Sequence, residues 1–298
     1  MYDAEESARR LAGYRPALRE LVHLSCGHLA LEPRLDRKSL LGDHLHDDAR
    51  SVAKLDRRIA ELGGGGGGAP TPAPEIAAAL DRARGADTPG YLEIAYGELK
   101  PALVAVIGDH LANVDPLADE PTLRLLTQLL HRQERHVAEL PATGPAVAAP
   151  GNPHELTVMP PVERPARDAF IRVAETADGH PVHDLMNAEL CGAELAARTS
   201  HEHPELPLDF HVDMARLCWD RIRHAELLDR VMASELGCHW GEHPVDLDSF
   251  GALYGQDLAG RLAALAAAPE TDELPAAAAG FLRADAATHA AIAARWSG

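Results

Sequence analysis

The residues of this chain that could do chemistry together are concentrated between Leu185 and Val245 and near the C-terminal end. Glu189 and Glu194 stand on one helix-forming stretch; Asp213, Asp220 and His224 stand on the next; Asp285 and His289 lie about sixty residues on. An acid and a histidine four residues apart share one face of a helix, and Glu194 can approach the Asp220–His224 face from the preceding helix. Helical bundles that hold two iron or manganese ions supply one Glu from each of two helices and Glu-x-x-His from each of the other two. In this chain the position three before His224 is Arg221, and three before His289 is Ala286. Both histidines are present where both glutamates are replaced.

Three chemistries remain open to such a set. Glu194, His224, His289 and Asp285 are candidate metal ligands, the first three as a two-histidine, one-carboxylate iron site with free positions for dioxygen. Glu189, Asp220 and Arg221 are candidate catalytic groups, the acids acting with histidine in proton transfer without a metal. An inward Arg221 would supply positive charge in place of an ion and bind a carboxylate through its planar fork. The plainer readings stand beside these. His224 and His289 could be packing histidines satisfied by neighbouring acids. Glu189 and Glu194 could form a solvated face with Arg198 or His201, and Asp220, Arg221 and Arg223 an exposed ion-pair set worth little energetically. The cluster His180, His183, His201, His203 and His211 has irregular spacing in or beside loops and reads as exposed.

The elements that must position these groups are helices. Aromatic residues make up 4% of the chain, and no period-2 apolar run occurs, so the β-branched and aromatic stretches that strands use are missing. Helices are predicted over 3–32, 36–62, 75–84, 91–111, 120–140, 165–177, 182–200, 207–236, 248–267 and 274–296. Pro33 ends the first, Pro101 predicts a kink near Lys100, and Asp119-Glu120-Pro121 makes a helix start. Six glycines from Gly63, followed by APTPAP, form a flexible loop. Leu217, Ile222, Leu227, Leu228 and Val231 mark an apolar stripe on the helix that carries His224. The domain reading is an N-terminal helical bundle over 1–140, a Pro- and Ala-rich linker with a short helix over 141–180, and a second bundle over 181–298. The two halves share a rhythm of four long helices.

Bulk properties exclude several classes. A formal charge of −18, with arginines interspersed among acids, argues against nucleic acid, which needs a clustered positive face. No apolar run approaches the roughly 20 residues of a membrane helix, and the charged start MYDAEESARRL does not read as a signal peptide. Cys26, Cys191, Cys218 and Cys238 are scattered, with no Cys-x-x-Cys pair, and read as reduced thiols of a cytoplasmic protein.

The sequence also resembles a known group. The motif EL-x(3)-EL-A at 189–196, DFH-x-DMAR-x-CWD-x-x-RHAELL at 209–228, G-x-x-WGEHPV from Gly237, and D-x-x-THA-x-x-A-x-RW at 285–296 look like the ferritin-like superfamily. Within it the chain is most similar to a bacterial branch distantly related to di-iron tRNA hydroxylases. The match covers the C-terminal half well and the N-terminal half loosely. It implies an all-α fold, with a ferritin-like four-helix bundle in the C-terminal half packed against the N-terminal bundle. The function it implies is a non-haem iron oxidoreductase acting on a small molecule in a specialised biosynthetic pathway. The alternatives are a metal-free acid–base enzyme on the same scaffold and a non-catalytic binding protein. Iron is the expected cofactor, and a homodimer is compatible with the resemblance. The N-terminal half raises a separate question with Asp43-x-x-His46 and Gln133-x-x-His136.

Overall fold

The computed structural model describes residues 1–32, 34–64, 72, 74–140, 181–240 and 252–297. Among them every regular element is helical and there is no strand, as the composition requires. The elements are α1 (Ala4–Leu31), α2 (Leu35–Glu61), α3 (Pro74–Arg84), α4 (Thr88–Ile94), α5 (Lys100–Asn113), α6 (Glu120–Glu139), α7 (Pro181–Glu202), α8 (Leu208–Val231), α9 (Leu258–Ala266) and α10 (Ala276–Trp296). Pro16 lies inside α1 without ending it. The linker and short helix expected between 141 and 180, and most of the glycine-rich loop, lie outside the described residues.

The chain divides into two compact units. The first comprises Met1–His28 and Asp43–Glu155; the second comprises Leu29–Gly42 and Leu156–Gly298. The turn between α1 and α2 thus belongs with the C-terminal helices, where the sequence reading assigned all of 1–140 to one bundle.

In the first unit the expected kink near Pro101 takes a specific form. Ala95–Leu99 is a π-helical turn between α4 and α5, and the Lys100 amide donates to Ala95 O five residues back. Proline has no N–H for the regular ladder and clashes with the preceding turn, so a wider turn just before it absorbs the mismatch. Asp119 caps α6 by accepting from the Thr122 amide, at the helix start read from Asp119-Glu120-Pro121.

In the second unit α7 packs on α8, α8 on α10, α10 on α9 and α9 on α7, which closes a ring of four helices. Val182, Met186 and Leu190 of α7, Ala225 and Leu228 of α8, and Ala278, Ala279 and Leu282 of α10 form a shared apolar core. A π-helical turn at Met232–Leu236 follows α8, and Gly237 ends it at φ 65°. Only glycine takes that left-handed conformation without strain. From Glu189 to His201 α7 is buried on every side. A helix buried all round cannot hide its charges on a solvated face, so each needs a partner inside. That requirement creates the site.

Candidate functional site

Glu189 and Glu194 are each 2% exposed, which removes the solvated-face reading. Their partners differ. Glu189 receives Arg221 Nη1 on Oε1 at 3.2 Å and faces His224 Nδ1 with Oε2 at 3.0 Å. Glu194 receives Lys38 Nζ at 2.6 Å and the Tyr254 hydroxyl at 2.8 Å. Lys38 is itself buried and donates a further bond to Leu29 O at 3.0 Å.

Asp220 and Arg221 are buried, so the exposed ion-pair expectation for them is corrected. Asp220, on α8, is fully buried. Arg221 points inward and donates through Nη2 to Leu265 O at 2.7 Å, near the end of α9. Room for its guanidinium comes from Gly192 on α7: a Cβ there would stand 2.6 Å from Arg221 Cδ.

The two histidines are cross-paired between helices. His224 of α8 places Nε2 3.1 Å from Asp285 Oδ2 on α10, and His289 of α10 places Nε2 3.4 Å from Asp220 Oδ2 on α8. The ring centroids are 6.0 Å apart. Each helix therefore offers an acid and a histidine one turn apart, and each histidine finds the acid of the opposite helix. Two arginines close the outer side. Arg223 binds both Asp220 and Asp285, and Arg216 binds Asp220 and lies 3.5 Å from Asp285 Oδ1.

The electrostatics follow from these contacts. Burial alone would raise the Asp220 carboxyl; hydrogen bonds from His289, Arg216 and Arg223 outweigh it and hold the group well below the usual carboxylate range. Burial also pushes Glu189 up, and the charge of Arg221, aided by His224, brings it below its ordinary value. Both acids are thus anionic at neutral pH. His224 faces a carboxylate with each ring nitrogen, Glu189 at Nδ1 and Asp285 at Nε2.

The candidate metal ligands do not share one centre. Glu194 is taken by Lys38 and Tyr254, while His224 spends its two nitrogens on two different acids. Among the described residues, the group of three acids and histidines whose ligand atoms all lie within 4.8 Å of one another is Asp43, His44 and Glu139, in the first unit. Of the histidines read as exposed, His183 and His201 are buried, and His203 and His211 are half-buried. His180 lies outside the described residues.

A second buried polar network lies in the first unit; Gln133 and His136 are residues the sequence singles out there, while Lys100, Asp48 and His44 are not. Lys100, the first residue after the π-helical turn, donates to Asp48 Oδ2 at 2.7 Å, Gln133 Oε1 at 3.2 Å and His136 Nδ1 at 3.0 Å. His136 stacks on His44 with centroids 3.8 Å apart, and His44 Nδ1 lies 2.8 Å from the Tyr96 hydroxyl. A proline just after a lysine in an apolar helix was the available signal for an interrupted helix at this point; the lysine's partners lie 33 to 52 residues away.

Comparison with protein-family models, with curated proteins and with solved structures finds no match for the chain. The ferritin-like resemblance therefore rests on the residues that carry it. Among the described residues no helix is long and apolar enough to cross a membrane.

Proposed function

We propose that the α7–α10 bundle is a metal-independent proton-transfer centre acting on a small molecule. The observation that carries this reading is the position of Arg221, buried against Glu189 beside His224 and anchored by Leu265 O. A permanent cation there supplies the charge that a divalent ion would bring to the same acid.

The remaining groups form a path for a proton. Glu189 is sealed in the core, His224 stands next, and Asp285 stands at the rim, 17% exposed. In this reading Glu189 orients the imidazole, His224 holds the mobile proton, and Asp285 passes it outward. Arg216 and Arg223, both partly exposed around that outer end, favour an anionic substrate. A second reading, a non-catalytic scaffold, is favoured by one fact: those same two arginines already neutralise Asp220 and Asp285.

Two measurements separate the possibilities. In EDTA-treated full-length protein with labelled histidines, added Zn2+ should leave the His224 and His289 ring signals unshifted; a shift of either would restore the iron reading. Solvent-deuterium incorporation into a panel of small anionic carbon acids should then be catalysed by the wild type and fall about 10²-fold or more in His224→Gln. Absence of exchange across the panel with wild-type protein supports the scaffold.

A further inference from the structure

The first unit holds a histidine whose ring is fixed by its face and by one nitrogen. His44 is buried on α2; its face is stacked on His136, which Lys100 holds in turn, and its Nδ1 meets the Tyr96 hydroxyl. The edge that remains is Nε2. It lies 3.0 Å from Glu139 Oε2 on α6, with Asp43 of α2 alongside, and the three ligand atoms fall within 4.8 Å of one another. Asp43 and Glu139 are half-exposed, with side chains 27% and 38% accessible, so this edge opens to solvent. A histidine whose second nitrogen is fixed by an outer hydrogen-bond partner is how protein metal sites present imidazole to an ion. One nitrogen and two carboxylate oxygens form a donor set suited to Zn2+, Mn2+ or Fe2+.

Arg135 holds the anionic side of this group. Its Nη1 lies 2.6 Å from Asp43 Oδ2 and 3.0 Å from Glu139 Oε2, while its Nη2 lies 2.8 Å from Asp47 Oδ2. Asp43, Asp47 and Glu139 present three negative charges to two guanidinium groups, Arg135 and Arg132. One negative charge is left over. Arg135 is itself 31% accessible and holds Asp47 through Nη2, the nitrogen that Asp43 and Glu139 do not use.

We propose that Asp43, His44 and Glu139 form a divalent transition-metal site, and that Arg135 is a gate which the ion displaces. Binding removes a guanidinium from two carboxylates and replaces it with an ion that also takes His44 Nε2. No covalent or redox step is involved. The site is separate from the Glu189–His224 network and stands or falls independently of it.

The test is calorimetric titration of EDTA-treated full-length protein with Zn2+ and with Mn2+. The expected result is one saturable equivalent per chain. Glu139→Gln, on a half-exposed side chain that folding tolerates, should weaken binding at least tenfold, and so should Asp43→Asn. Arg135→Gln should strengthen it at least tenfold, because it removes the competing cation. Mn2+ should broaden the His44 ring signals in the wild type and spare them in Glu139→Gln. Absence of saturable binding in both wild type and Arg135→Gln would overturn the proposal, as would binding that Glu139→Gln and Asp43→Asn leave unchanged.

Discussion

Arg221 lies directly over Gly192: the helix α7 carries no side chain at the one position where the guanidinium of α8 must pass to reach Glu189. The pairing explains two sequence features with one packing fact. A glycine inside a buried helix normally weakens it by about 0.5–1 kcal/mol relative to alanine, and here that cost makes space for a buried charge.

Gly192→Ala should therefore destabilise the protein although alanine is the better helix former. The added methyl would stand 2.6 Å from Arg221 Cδ and 2.8 Å from Nε, on a side chain tied at its far end to Glu189 and Leu265 O. A loss of about 1–3 kcal/mol is expected from overpacking. Urea denaturation of Gly192→Ala and of the double variant with Arg221→Ala would check this. In the double variant the glycine substitution should cost nothing further.

Arg221→Met alone should cost about 3–5 kcal/mol, because it strands a buried carboxylate beside His224. Glu189→Gln in the same protein should recover part of that loss, since the stranded charge is gone. A double-mutant cycle by chemical denaturation measures the coupling, and additive losses would mean that the two side chains act independently.

Arg221→Glu adds an acid three residues before His224 and removes the cation. In a Glu139→Gln background, which weakens the Asp43 group, this variant should melt lower than its parent without metal. Added Mn2+ or Zn2+ should raise its melting temperature by mass action and by more than it raises the parent's. Thermal scans with and without ion decide it, and a variant insensitive to both ions would show that the pocket holds no latent site.

Acid should begin to weaken the first unit before carboxylates titrate. His44 and His136 are held below the ordinary histidine value by burial, with Lys100 and Arg135 adding to it, and His110 is lowered to about 4 by burial and Arg10. The unfolded chain therefore binds protons between about pH 6.5 and 4 that the folded chain refuses, so stability is complete above 6.5 and falls as pH drops. Each such histidine contributes about 1.4 kcal/mol per pH unit within its window. His110→Asn should flatten the slope between pH 6 and 4.5 in urea midpoints measured at fixed ionic strength.

Local signals in the chain specify the helices and which acids and histidines share a helix face. The periodicity of Leu217, Ile222 and Leu228, the start at Asp119-Glu120-Pro121 and the interruption near Pro101 are local signals, and the helices follow them closely. The same periodicity placed Asp220 with His224 and Asp285 with His289 on shared faces. The types of Glu189, Glu194 and Arg221 left a solvated face and an inward site both open, and burial of α7 on every side chose between them.

Which pairs form depends on how the helices pack. Lys38 lies 156 residues from Glu194, and nothing local to either marks the other. His224 and Asp285 meet because α10 returns beside α8, and that return exchanges the acid partners of the two histidines between helices. The difference lies in the range of the forces. Backbone hydrogen bonds and side-chain periodicity act over three or four residues, whereas the partner of a buried charge is whichever opposite charge the packed helices bring within about 3 Å.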